Sequence, residues 1–92
     1  MKKNILKEAA FALEARDRLR EFLIYEMDTG KFYWRDTGKL AGTPHKMDII
    51  ININKVNYLG HRLAWLFAYG RLPSTVKHLD GDKTNNRLSN LG

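Results

Sequence analysis

The sequence predicts an α+β chain, and three observations predict it. Apolar residues recur at helical spacing near the N-terminus, two short strand-like runs then fold back at turn signals, and a second helical run follows. The expected order is an N-terminal helix, two β-hairpins, a short helix and a polar C-terminal segment. We read residues 1–92 as one small domain, divided into 1–24, 25–75 and 76–92.

The first helix is expected from Asn4 to about Ile24, with Asn4 as its N-cap. Leu6, Ala10 and Leu13 form one apolar row, and Phe11, Ala15, Leu19 and Phe22 another. Its charged face suits solvent, with Arg16 and Arg20 on phosphates as the alternative. Asp28-Thr29-Gly30-Lys31 then reads as a turn between Ile24-Tyr25 and Phe32-Tyr33-Trp34. Gly38, Gly42 and Pro44 mark irregular chain. Ile49, Ile51 and Ile53 alternate with Ile50, Asn52 and Asn54, and Asn54-Lys55 turns that strand into Val56 to Leu59. His61 to Tyr69 carries Leu63, Ala64, Leu66 and Phe67 at helical spacing and is stopped by Gly70 and Pro73. Trp34 and Trp65, each among apolar neighbours, are assigned to the core rather than to base stacking.

Composition narrows the classes of function. There is no cysteine, which excludes a disulfide framework and cysteine-ligated zinc. No segment approaches the roughly 20 apolar residues that cross a bilayer, and Lys7, Glu8 and Glu14 break the apolar start. A cytoplasmic protein with no membrane partner is the expectation. The formal net charge of +6 favours polyanions, because each cation set on a phosphate releases a counterion.

Residues 76–92 are rich in Asn and Asp and poor in apolar side chains, as functional loops are. His78 ends a short strand beside Val76 and Leu79, Gly81 allows a tight loop, and Asn85 and Asn86 suit an irregular turn. Leu91, next to Asn90, anchors the far end in the core. A histidine held by its surroundings can take a proton from water near neutral pH; a satisfied structural histidine is the alternative for His78. Asp80 and Asp82 read as a solvated turn or as metal ligands. A calcium loop fits poorly, since Gly81 falls between them and the bidentate Glu at the twelfth position is absent.

The run His78-Leu79-Asp80-Gly81-Asp82-Lys83-Thr84-Asn85-Asn86-Arg87-Leu88-Ser89-Asn90-Leu91 resembles the central signature of phage-type HNH endonucleases. Gly60-His61-Arg62-Leu63-Ala64-Trp65, with Tyr69-Gly70 and Pro73, resembles the stretch that precedes it in those proteins. Asp28-Thr29-Gly30-Lys31-Phe32-Tyr33-Trp34-Arg35 resembles their opening hairpin. The three stand in order and span Arg16 to Leu91.

The resemblance implies a ββα unit holding one divalent metal, Mg²⁺ or Mn²⁺ in an active enzyme, and DNA as the partner. An Asp before the first histidine ligates the metal, the histidine is the general base, a central Asn holds the loop, and a helix after the second strand brings the last ligand. Mapped onto this chain, His78 is the general base and Asn90 the central asparagine, both catalytic candidates. Arg62, Lys77, Lys83, Asn86 and Arg87 are the nucleic-acid contacts, and Asp80 and Asp82 the substitute metal ligands. Two departures are visible. Lys77 occupies the position of the ligating Asp, and an ammonium offers a metal no lone pair. The chain also reaches Gly92 where the second strand should begin, so the motif is expected to be partial and C-terminally truncated. The expected function is that of an HNH-family DNA-binding protein, hydrolysing phosphodiesters with a divalent metal if active. A catalytically degenerate phage protein that binds DNA, a host protein or a second copy of itself is the alternative, placed in the host cytoplasm.

Overall fold

The computed structural model describes residues 5–92, with side chains from Ala10 onward. Helix α1 spans Ile5–Arg20. Strands β1 (Leu23–Glu26), β2 (Lys31–Trp34) and β3 (Leu40–Ala41) form one antiparallel sheet in that order. Strands β4 (Thr43–His45), β5 (Asp48–Ile53) and β6 (Val56–Leu59) form a second. Helix α2 (Gly60–Tyr69) follows, and a 3₁₀ turn at Leu88–Asn90 lies near the C-terminal end. The mixed α+β class is as expected.

Helix α1 ends earlier than its apolar pattern suggested. The amides of Glu21 and Phe22 bond back three residues to Arg18 and Leu19, tightening the last turn. Leu23, fully buried, already belongs to β1, where Ile24 and Tyr25 pair with Tyr33 and Phe32. The Arg35 Nε–H donates to the Arg20 carbonyl at 2.7 Å and satisfies one of the free acceptors at the helix end. The buried row is also different. Ala12, Ala15 and Leu19 face the core, while Phe11, Leu13 and Phe22 are exposed. Three small or slender residues at that spacing let α1 lie close against its neighbours. The expected cap at Asn4 and the side chain of Leu6 lie outside the described residues.

Both hairpins form, and each gains a third strand. Asn54 and Lys55 both have positive φ, 50° and 67°, the geometry of a two-residue turn whose twist matches the strands it joins. Lys46 and Met47 do the same between β4 and β5, at 48° and 74°, a turn with no glycine or asparagine to announce it. Pro44, expected in irregular chain, sits in β4, which has only β5 as a neighbour; an edge strand tolerates the missing N–H.

One cluster of buried side chains joins all these parts: Leu19 of α1, Leu23 and Phe32 of the first sheet, Ile51 of the second, Leu66 of α2, and Val76 and Leu91 of the last segment. Trp34 and Trp65 pack on it from its edge, as expected. Gly70 closes α2 in the left-handed conformation, donating its N–H to the Leu66 carbonyl. Arg20 crosses from α1 to donate to the Phe67 carbonyl at 2.9 Å, so this arginine is a helix-to-helix clasp. Leu23→Ala should cost about 2–5 kcal/mol, a large share of the stability of a chain this size; the midpoint and slope of a urea titration measure it.

Candidate functional site

The segment after α2 is short of regular structure, and its shape comes from side-chain hydrogen bonds. Its two ends meet as a ladder: His78 bridges to Leu91, and Lys77 and Gly92 exchange both backbone bonds at 2.8 and 3.0 Å. Val76 and Leu91, both buried, pin this ladder to the core. Leu79, by contrast, is exposed.

Between the ends, Asp80 organises the loop. One carboxylate oxygen accepts from the Asp82 N–H at 2.8 Å and from Asn90 Nδ2 at 2.9 Å; the other accepts from Asn85 Nδ2 at 2.8 Å. Asn90 returns the contact by accepting the Asp80 N–H at 3.0 Å, and also donates to the Asn85 carbonyl. Asp82 accepts from both the N–H and the hydroxyl of Thr84. The bond from Asn85, then those from the Asp82 amide and Asn90, hold the Asp80 carboxyl below the usual carboxylate range. The Thr84 bonds do the same for Asp82.

Asn86 holds the histidine. It is almost completely buried, and its Oδ1 lies 2.8 Å from His78 Nε2. An amide oxygen only accepts, so Nε2 is the donor of this bond, and in the neutral ring Nδ1 is the nitrogen with the lone pair. Three elements fix Asn86 in turn. The Tyr25 hydroxyl of β1 donates to its carbonyl at 2.5 Å. Gly60, the first residue of α2, comes so close that a Cβ there would stand 2.8 Å from Asn86 Nδ2. Gly30, in the β1–β2 turn at φ +75°, lies against the Asn86–Arg87 peptide, where a Cβ would come within 2.2 Å of the Arg87 nitrogen. The turn also accepts from this segment: Leu88 N–H donates to the Met27 carbonyl, and Arg87 Nε–H to that of Asp28. Burial, then the neighbouring Tyr69, pushes the Tyr25 hydroxyl up to about 12, so it stays a donor at any ordinary pH.

The expected site residues therefore divide into groups. Lys77, His78 and Lys83 line one open cleft of about 510 Å³, together with Asp48, Leu59, His61, Val76 and Gly81. Neither lysine forms an ion pair among the described residues, where the contact between Arg16 and Asp17 is the one found. Arg62 and Arg87 do not line the cleft; Arg62 donates to the Pro73 carbonyl, and Arg87 to Asp28 and Asn85. Asn86, expected as a phosphate contact, is instead the buried support of His78, and Asn90 supports the Asp80 loop.

His61 was given no role by sequence reasoning. Its ring meets that of His78 edge to face, with centroids 4.8 Å apart, and its Nδ1 is buried with no hydrogen-bond partner. Desolvation, then His78, lowers its proton affinity, against a smaller opposing effect of Asp48. Asp48 of β5 was missed as well, since the alternating isoleucines hid it. The Gly60-His61-Arg62 run was the available signal for His61.

The donor set for a metal does not fit. Among the described residues, no three His, Cys, Asp or Glu side chains stand close enough to hold an ion. Asp80 has one oxygen occupied by two donors and the other by one, which leaves it at best a single lone pair to offer. Asp82 is directed at Thr84, and Lys77 precedes His78.

Two outcomes are expected from this architecture. Gly30→Ala adds left-handed strain and a clash with backbone, together about 2–4 kcal/mol; amide exchange should rise first in residues 76–92. The second concerns acid. Carboxyls held below their unfolded value stabilise the loop above the ordinary carboxylate range and lose that effect as pH falls through the lowered folded values. The Asp82 and Thr84 amide resonances should therefore stay fixed at neutral pH and shift only in that acid window.

Comparison with known proteins agrees with where this geometry lies. Residues 58–92 match the family model described as HNH endonuclease. The matched segment contains α2, the cleft lysines, both histidines and the whole Asp80 loop, whereas the hairpin that bears Gly30 lies outside it. No curated protein and no solved structure matches significantly. Over residues 58–92, the segment that holds His78 and its loop, the chain is similar to the HNH endonuclease family.

Proposed function

We propose that the chain binds the sugar-phosphate backbone of DNA in the His78 cleft, with His78 as the base for phosphodiester hydrolysis there. One observation carries this reading: Asn86 fixes His78 through Nε2, so that Nδ1 is the ring's free acceptor in a cleft shared with Lys77 and Lys83. A phosphate held by the two ammonium groups would sit beside the His78 imidazole. Nδ1 would then take a proton from a water whose oxygen attacks phosphorus, while the bond to the departing sugar oxygen breaks and that oxygen is protonated from solvent. Asn86 is a positioning residue in this scheme, and Asn90 keeps the loop closed.

Family members use a divalent metal, and the described residues do not supply its ligands, so no step is routed through one. Lys77 in the ligand position favours a second reading, a protein that grips DNA without cutting it. Of the five expected contacts, Lys77 and Lys83 are the cations that line the cleft, and Arg62 and Arg87 lie outside it. The expected slope of log K against log salt is thus about −2 for two phosphate contacts.

Supercoiled plasmid incubated with Mg²⁺ or Mn²⁺, beside a His78→Ala control, tests the hydrolytic reading. The wild type should nick the plasmid, and the variant should slow nicking by about 100-fold or more while keeping its gel shift. Absence of nicking with a salt-sensitive shift leaves the binding reading alone. Absence of both would overturn the assignment to DNA.

A further inference from the structure

We propose that Lys77 and Lys83 make the His78 cleft a metal-free phosphate site, their ammonium groups neutralising a nucleic-acid phosphate where relatives use a divalent cation. The proposal rests on reading the cleft as a DNA-backbone site, and goes beyond it by saying what supplies the charge.

Four observations converge. Lys77 stands in the sequence position of the ligating carboxylate, directly before His78, and its backbone is fixed by the paired bonds to Gly92. Lys83 lines the same cleft. Neither forms an ion pair among the described residues. Neither loop carboxylate lines the cleft: Asp80 is bonded to Asn85, Asn90 and the Asp82 amide, and one oxygen of Asp82 takes both bonds from Thr84. Asp48 is the one carboxylate lining the cleft, against two lysines.

The charge arithmetic decides between the two kinds of cation. Two ammonium groups already carry the charge of one divalent ion. Placing Mg²⁺ beside them would add repulsion at short range, and Mg²⁺ gives up its water reluctantly without carboxylates to replace it. A phosphodiester meets the opposite balance. It carries a single negative charge, and lysine binds phosphate as a point charge without demanding bidentate geometry.

The test is fluorescence anisotropy of a labelled DNA duplex with the full chain, in EDTA and in Mg²⁺ at matched ionic strength. Affinity in EDTA should equal or exceed that in Mg²⁺. Lys77→Ala and Lys83→Ala should each weaken binding roughly three- to tenfold and reduce the salt slope by about 1, whereas Lys77→Arg should keep it. Far-ultraviolet circular dichroism checks that these exposed substitutions leave the fold intact, and the comparison of buffers needs no variant at all. A tenfold gain on adding Mg²⁺ to the wild type would overturn the proposal while leaving DNA binding in place, as would alanine variants that bind like the wild type. No binding in either buffer would overturn this proposal and the DNA reading together.

Discussion

The buried carboxamide of Asn86 is the contact on which the rest of the site depends. It is a polar group in a core position, and such a group is tolerated only when its hydrogen bonds are made. Its side-chain oxygen meets the His78 ring, and its backbone carbonyl takes the Tyr25 hydroxyl. Two glycines at the ends of unrelated elements, Gly30 and Gly60, leave room for it where any side chain would collide. The loop is therefore positioned by polar satisfaction and close backbone approach more than by apolar burial, which suits a segment with Val76 and Leu91 as its main hydrophobic anchors.

That arrangement shapes the chemistry available nearby. A carboxylate that accepts three hydrogen bonds is a good organiser and a poor ligand, and Asp80 has the first role. The same bonds that lower its proton affinity keep it charged, so the loop holds its shape at neutral pH. His78 and His61 form a pair of imidazoles in edge contact, in which burial and the neighbouring ring lower the proton affinity of His61, and two lysines line the same cleft. The result is a cleft whose cations are covalently attached to the chain.

Much of this was legible in the sequence, and the boundary has physical reasons. Periodicity found both helices and both hairpins, because burial of one face imposes it. It overran α1, since Phe22 and Ile24 continue the apolar rhythm while Leu23 has already entered a strand. It also selected Phe11 and Leu13 for the core over the small Ala12, because side-chain size dominates a pattern and contact geometry decides burial. His78 and the lysines were visible in a polar, Asn-rich run. Asn86 was misread because an asparagine in a turn and an asparagine under a histidine look alike until the residues 30 and 60 positions along the chain are seen against it. His61 was hidden by its place at the start of an amphipathic helix, where a histidine needs no special explanation.

The bond from Tyr25 to Asn86 joins residues 61 positions apart. A contact that distant has to overcome the entropy of closing the intervening chain. Synthesis proceeds from the N-terminus, so the first hairpin with its Gly30 turn is made well before the loop that rests on it. The alignment of the histidine thus depends on joining parts of the chain that are far apart in sequence. A nascent or partly unfolded chain would carry the same lysines and the same imidazole without their alignment, which ties the competence of the cleft to completion of the fold.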